Sequence, residues 1–108
     1  MEACARFGLS PDVAAGIGAV MNTARMRPGS NVAVIGAGGV GLNTIQGAAI
    51  GGARRIIALD INDEKLEGSR EFGATDTIRA DSADVAGQIR AMTEGRGVDY
   101  AFVTVGAP

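Results

Sequence analysis

The sequence contains no histidine, no tryptophan and a single cysteine, Cys4, among its 108 residues. One cysteine cannot form an internal disulfide, which favours a reducing cytoplasm as the compartment. Without histidine and with one thiol, the chain lacks the nitrogen and sulfur ligands on which most zinc sites are built. Aromatic residues make up only 4% of the chain, so platforms for stacking nucleic-acid bases are not expected.

Charge and hydropathy exclude further classes of protein. Ten basic and twelve acidic residues give a net charge of −2, which argues against a nucleic-acid partner or an anionic membrane surface. No apolar run approaches the roughly 20 residues of a membrane span. The N-terminus shows no basic region followed by an apolar block, so we expect no secretion signal and a cytoplasmic location.

Glycine is abundant, at 17 residues, which is roughly twice the average usage of about 7%. No Gly-X-Y period occurs, so the glycines are expected at turns of a folded domain. The length and the 46% hydrophobic content suit one domain over residues 1–108 with one core.

Residues 1–30 are predicted to form a leading helix and a turn. Ser10 is a suitable N-cap, and Val13 and Ile17 begin a series of apolar residues at helical spacing. Pro28-Gly29 then marks a turn before the first predicted strand.

Residues 31–108 alternate between short apolar runs and helical patterns. The predicted strands are Asn31–Ile35, Arg55–Leu59, Thr75–Arg79 and Asp99–Val105. The predicted helices run from about Gly39 to Gly51, from the Asn62 cap to Gly73, and from about Ser82 to Glu94. This alternation predicts an α/β, Rossmann-like parallel sheet with helices on both faces and the strand order 3-2-1-4.

That strand order would leave one side of Asp99–Val105 unpaired. Its "YAFVTV" segment is apolar, rich in β-branched residues, and free of charge and proline, which is typical of an unprotected sheet edge. We therefore expect self-association through this edge.

A G-x-G-x-x-G motif, Gly36, Gly38 and Gly41, follows the first predicted strand and opens a helix. In this context the motif predicts a dinucleotide site. Gly36 would permit the tight turn, Gly38 would let the backbone approach a pyrophosphate, and Gly41 would let the helix pack closely on the strands. Gly39 and Val40 would offer backbone N–H donors to the phosphates. The alternative is a structural turn without a ligand.

Asp60 ends the second predicted strand, where a carboxylate can accept both hydroxyls of an adenosine ribose. It would repel the additional phosphate of NADP, which usually requires a nearby arginine. Asn62 and Asp63 follow it, while Arg54 and Arg55 precede the strand and lie at its far end. NAD is therefore the predicted cofactor, and the alternative for Asp60 is an acid that caps the next helix.

Several blocks in order resemble the coenzyme domain of the zinc-dependent medium-chain alcohol dehydrogenases, with closest similarity to the glutathione-dependent formaldehyde dehydrogenase branch. They are "GIGAVMNTA", "RPGSNVAVIGAGGVGL", "RIIALDINDEKL", "EFGATDTI" and "GVDYAFVTVG". The resemblance implies that Lys65 contacts the adenosine ribose, unless it is merely solvated, and that Ile61 flanks the adenine. It implies further contacts near the ribose and nicotinamide at the end of the fourth strand, from Thr104, Val105 and Gly106.

The chain also departs from that family. Pro11 stands where the family has a cysteine ligand of the catalytic zinc, and Ala15 replaces a threonine. Cys4 does not fall on the ligand position, and the four cysteines of the structural zinc lobe are missing. The resemblance covers half to two-thirds of a coenzyme domain, so we expect no catalytic residue, no zinc and no turnover in this chain alone. A non-catalytic nucleotide-binding module and a structural or oligomerising remnant stay open as alternatives.

Overall fold

The computed structural model describes Val13–Ala15 and residues 26–104, with side chains given for the second segment. Its elements in chain order are β1 (Val13–Ala15), β2 (Asn31–Ile35), α1 (Gly39–Ile50), β3 (Arg55–Asp60), α2 (Asp63–Phe72), β4 (Asp76–Arg79), α3 (Val85–Met92) and β5 (Tyr100–Val103). All strand pairs are parallel, and the strands lie in the order β1-β5-β2-β3-β4.

The four strands predicted from the sequence are confirmed, with bounds that differ by two residues at most. Their predicted order 3-2-1-4 corresponds to β4-β3-β2-β5 in the sheet. The crossover from β2 leads to β3 on one side, whereas β5 joins β2 on the other side. The strand order therefore reverses between β2 and β5, which is where doubly wound folds place their ligand crevice.

Apolar side chains leave the strands toward both faces, as expected for a covered parallel sheet. One buried cluster joins the sheet to α1 and α2: Met26, Val32, Val34, Ile45, Ala48, Ile56, Ala58, Leu66, Ala74 and Phe102. The other joins it to α3: Ala33, Ile35, Ile57, Leu59, Ile78, Val85, Ile89, Val98 and Ala101. The prediction of helices on both faces is confirmed, and the carboxyl ends of the parallel strands lie at one edge of the sheet.

The ends of α2 follow the sequence signals. The Asn62 side chain accepts a hydrogen bond from the Lys65 N–H at 3.0 Å, which makes Asn62 the N-cap. Gly73 ends the helix with a φ of +122°, a conformation that favours glycine. The Asn62 cap thus lies at the junction where α2 follows β3, and Gly73 ends the helix before β4.

Gly68 lies inside α2, and a Cβ added there would meet no atom within 4 Å. We expect Gly68→Ala to stabilise the chain by about 1 kcal/mol, because alanine loses less backbone entropy in a helix. Urea unfolding followed by circular dichroism would measure the change. An unchanged or lower midpoint would contradict the described position of Gly68 within the helix.

The leading segment corrects two predictions. Val13–Ala15 is a strand and not part of a helix, and it pairs with Ala101–Val103 of β5. The edge expected to be unpaired is thus paired on both sides, because β1 satisfies backbone groups that would otherwise face water. Self-association through this strand loses its structural reason, and association of the chain in solution stays a prediction.

Other predictions fall outside the described residues. These are the rest of the leading helix, the N-cap at Ser10, and the positions of Cys4 and Pro11. The turn at Pro28-Gly29 is confirmed, with Gly29 at a φ of +83°. Among the helices that the structure describes, none combines the length and apolar character needed to cross a bilayer.

Candidate functional site

The glycine turn follows β2 at the carboxyl edge of the sheet. Gly36 has a φ of +100°, and its N–H donates to the Leu59 carbonyl oxygen at 2.7 Å. A residue with a side chain is strained at this positive φ. Only glycine can make the turn here without that strain. The tight turn assigned to Gly36 from the sequence is present.

Gly41 lies in the first turn of α1, which packs against the end of β2. A Cβ at this position would lie 1.9 Å from the Gly36 carbonyl oxygen and 2.9 Å from the Thr104 hydroxyl oxygen. Because the nearest atom belongs to the backbone, the contact could be relieved only by moving the helix. The close packing predicted for Gly41 is therefore present.

Gly38 differs from both of these glycines. Its φ of −80° and ψ of −164° are extended angles that any residue adopts. A Cβ at Gly38 or at Gly39 would meet no protein atom within 4 Å. Neither internal packing nor backbone conformation explains a glycine at Gly38, whereas a ligand close to the backbone would.

The open space lies against the N-terminus of α1. The first N–H groups of a helix have no acceptor within the helix, and they carry the positive end of its dipole. No acidic residue occupies the first turn of α1, and Gly39 and Val40 are exposed there. This end of α1 can therefore receive an anion such as a phosphate.

Asp60, the last residue of β3, faces the glycine turn. One of its carboxylate oxygens, Oδ2, accepts the Ala37 N–H at 2.8 Å, and Oδ1 accepts the Asn62 N–H at 3.0 Å. The two hydrogen bonds fix the orientation of a half-buried carboxylate. Each oxygen retains accepting capacity for a second donor, such as a hydroxyl group.

Thr104 follows β5 on the other side of the turn. Its hydroxyl donates to the Gly36 carbonyl oxygen at 2.7 Å and lies 3.0 Å from the Ile35 carbonyl oxygen. The structure therefore brings Thr104 against the glycine turn. The remaining two positions predicted in this segment, Val105 and Gly106, lie outside the described residues.

Ile61 and Lys65 follow Asp60 and border the same edge. Ile61 is 65% exposed, so its apolar side chain is accessible from solvent. Lys65 is exposed in the first turn of α2, and within residues 26–104 no carboxylate forms an ion pair with it. An apolar surface and an exposed ammonium group thus lie next to the Asp60 carboxylate along the chain.

Arg79 is a neighbour of Asp60 that the sequence did not reveal. The two residues are register partners at the ends of β4 and β3. Arg79 donates to both carboxylate oxygens of Asp81, at 3.0 and 2.8 Å, and to Asp63 at 3.0 Å. The hydrogen bonds to Asp81 and Asp63 raise the pKa of Arg79 above its ordinary value, and Arg79 lowers the pKa of Asp81.

The opposite, amino edge of the sheet carries other ion pairs. Arg54 pairs with Glu94, and Arg55 lies 3.3 Å from Asp76, so both arginines are at the far end of β3 as predicted. An open cavity of about 310 Å³ at this edge is lined by Arg27, Pro28, Gly29, Ser30, Arg96 and Asp99. The candidate site at the carboxyl edge is separate from that cavity.

The comparisons with known proteins bear on this arrangement. Residues 39–108 match the family model described as zinc-binding dehydrogenase. The chain belongs to this family. The match begins at the first residue of α1, so it includes Asp60 and the elements after it, while the preceding turn lies outside it.

Two similar proteins are dehydrogenases, in agreement with this family assignment. Over 96 residues the chain is 47% identical to the class-3 alcohol dehydrogenase of Myxine glutinosa, covering 87% of this chain and 25% of that protein. It is 46% identical to the S-(hydroxymethyl)glutathione dehydrogenase of Synechocystis sp., covering 87% and 26%. The chain thus spans about a quarter of the length of these two dehydrogenases.

A solved structure supports the fold. The alcohol dehydrogenase zinc-binding domain protein of Burkholderia ambifaria is 44% identical and superposes with a TM-score of 0.74 over 83% of this chain and 24% of that one. The predicted resemblance to zinc-type alcohol dehydrogenases is confirmed. Within the residues of the present chain that the structure describes, no three histidine, cysteine, aspartate or glutamate side chains lie close enough together to hold a metal ion.

Proposed function

We propose that the chain binds the pyrophosphate and adenosine parts of NAD, as the nucleotide-binding portion of a zinc-type alcohol dehydrogenase. The observation that carries this proposal is the hydrogen bond between the Ala37 N–H and Asp60 Oδ2. It joins the turn suited to a phosphate with the carboxylate suited to a ribose at the ends of adjacent strands.

The pyrophosphate would lie in the open space at Gly38 and accept N–H groups at the start of α1. The spacing between this turn and Asp60 follows the pattern of dinucleotide-binding folds, in which a strand-end acid accepts the ribose hydroxyls. The exposed Ile61 would cover one side of the adenine, and Lys65 would lie near the ribose. Thr104, Val105 and Gly106 would border the nicotinamide half.

When bound, NAD would supply the acceptor for a hydride taken from an alcohol carbon. The contribution of this chain's residues is to bind and orient the nucleotide at the carboxyl edge. The described residues offer no set of zinc ligands, so no step through zinc is assigned to them.

The single cysteine suits a reducing compartment, and we place the protein in the cytoplasm.

Calorimetric titration tests the cofactor assignment. We expect the chain to bind NAD at least about tenfold more tightly than NADP, because Asp60 would repel the additional phosphate. Asp60→Asn should weaken NAD binding about tenfold or more, since the ribose hydroxyls lose a charged acceptor and one of the two backbone N–H groups that orient the side chain loses its acceptor. Equal or tighter binding of NADP by the unsubstituted chain would overturn the assignment.

Asp76→Asn provides the matched control for that titration. It removes the same charge from the amino end of β4, where Asp76 pairs with Arg55. NAD affinity should be unchanged in this variant. A loss equal to that of Asp60→Asn would show that net charge, and not contact with the ribose, governs binding.

A further inference from the structure

We propose that Asp63 and Asp81 form a second determinant of cofactor specificity, because they occupy an arginine that would otherwise bind the 2′-phosphate of NADP. This inference rests on the proposed function, since it requires the ribose to lie beside Asp60. It assigns a binding role to Arg79 and a positioning role to the two aspartates.

The position of Arg79 follows from the sheet. Parallel pairing of β3 with β4 sets Asp60 opposite Arg79, and neighbouring strands lie about 4.8 Å apart. Arg79 therefore leaves the sheet beside the carboxylate assigned to the ribose. An arginine near this ribose is the residue that accommodates the phosphate of NADP in dinucleotide-binding folds.

The guanidinium group of Arg79 is already engaged. Its Nε and Nη2 donate to the two oxygens of Asp81, and its Nη1 donates to Asp63 Oδ1. All three nitrogens thus contact a carboxylate, in part through a planar two-point pair that orients the group. Asp63 belongs to the first turn of α2, so one of the two acids borders the connection that follows Asp60.

The charge around Arg79 opposes a phosphate even without Asp60. Two carboxylates surround one guanidinium, and the Arg79 side chain is 44% exposed. Exposed ion pairs are individually weak, so a phosphate could displace them. After such a displacement, the carboxylates of Asp63 and Asp81 would both lie beside the negatively charged 2′-phosphate. We therefore expect that removing Asp60 alone does not produce NADP binding.

The test compares three variants of the chain by calorimetry with NAD and NADP. Asp60→Ser should weaken NAD binding without tightening NADP binding. Combining it with Asp63→Asn and Asp81→Asn should tighten NADP binding at least about tenfold relative to Asp60→Ser. Adding Arg79→Gln to the triple variant should remove that gain, because hydrogen bonds to a charged group account for about tenfold or more in affinity.

A charge-matched control separates local from global electrostatics. Asp60→Ser combined with Asp76→Asn and Glu94→Gln removes the same number of charges, and it frees the arginines Arg54 and Arg55 at the amino edge. It should give no gain in NADP affinity. An equal gain in this control, or a gain that persists with Arg79→Gln, would overturn the inference.

The unsubstituted chain distinguishes the two proposals. If it does not bind NAD, the proposed function fails and this inference fails with it. If it binds NAD while the triple variant gains no affinity for NADP, only the role of Arg79, Asp63 and Asp81 is wrong. Thermal unfolding of each variant confirms that a folded chain was titrated.

Discussion

Gly38→Val should abolish nucleotide binding while the fold stays intact. The added side chain has room in the protein, since a Cβ meets no atom within 4 Å, and the extended backbone angles suit valine. The same side chain would fill the space assigned to the pyrophosphate. Loss of even one hydrogen bond to a charged group weakens binding about tenfold to a hundredfold, and we expect at least a hundredfold loss for ADP-ribose by calorimetry.

The stability of the Gly38→Val chain should fall by no more than about 1 kcal/mol, the typical effect of a change at an N-cap. Gly68→Val is the matched control, because its position in α2 is equally open but distant along the chain from the turn. That control should bind ADP-ribose normally. If Gly38→Val also binds ADP-ribose normally, the phosphates do not lie at this turn.

Gly41→Ala, unlike Gly38→Val, should lower the stability of the fold. Its Cβ would lie 1.9 Å from the Gly36 carbonyl oxygen, so α1 must move away from the end of β2. Overpacking of this kind costs typically 1–3 kcal/mol, and we expect about 3 kcal/mol because the obstacle is backbone. Urea unfolding monitored by circular dichroism measures the loss.

Gly39→Ala is the control for this stability change. It introduces the same methyl group two residues away in the same helix, where no atom lies within 4 Å. Its unfolding midpoint should equal or exceed that of the unsubstituted chain, since alanine is the better helix former. Equal midpoints for Gly39→Ala and Gly41→Ala would mean that α1 does not approach the turn as described.

Local signals account for most of what the sequence predicted. Asn31–Ile35 is bounded by a turn and by Gly36, and Asn62 and Gly73 bracket α2, so each of these elements is specified by residues within it or next to it. The glycine motif likewise predicted a tight turn at Gly36 and close packing at Gly41. These features depend on backbone geometry that a short segment determines.

Long-range pairing accounts for what the sequence did not reveal. Val13–Ala15 fits a helical spacing of apolar residues. It forms a strand instead because it pairs with the edge of β5 that would otherwise be open. The contact of Arg79 with Asp63 depends on the register of β4 against β3. The predicted strand ends could have suggested this contact, because parallel strands that end at the same edge place their last residues side by side.

The pairing of β1 with β5 has a consequence for the path of folding. Joining Val13 to Ala101 directly would close a loop of nearly the whole chain, and the entropic cost of loop closure rises by about 0.6 kcal/mol for each doubling of length. Once β2 has paired with β5, only the connection of residues 16–30 remains to be closed. The route with the lower entropic barrier therefore adds the first strand of the chain to the sheet last.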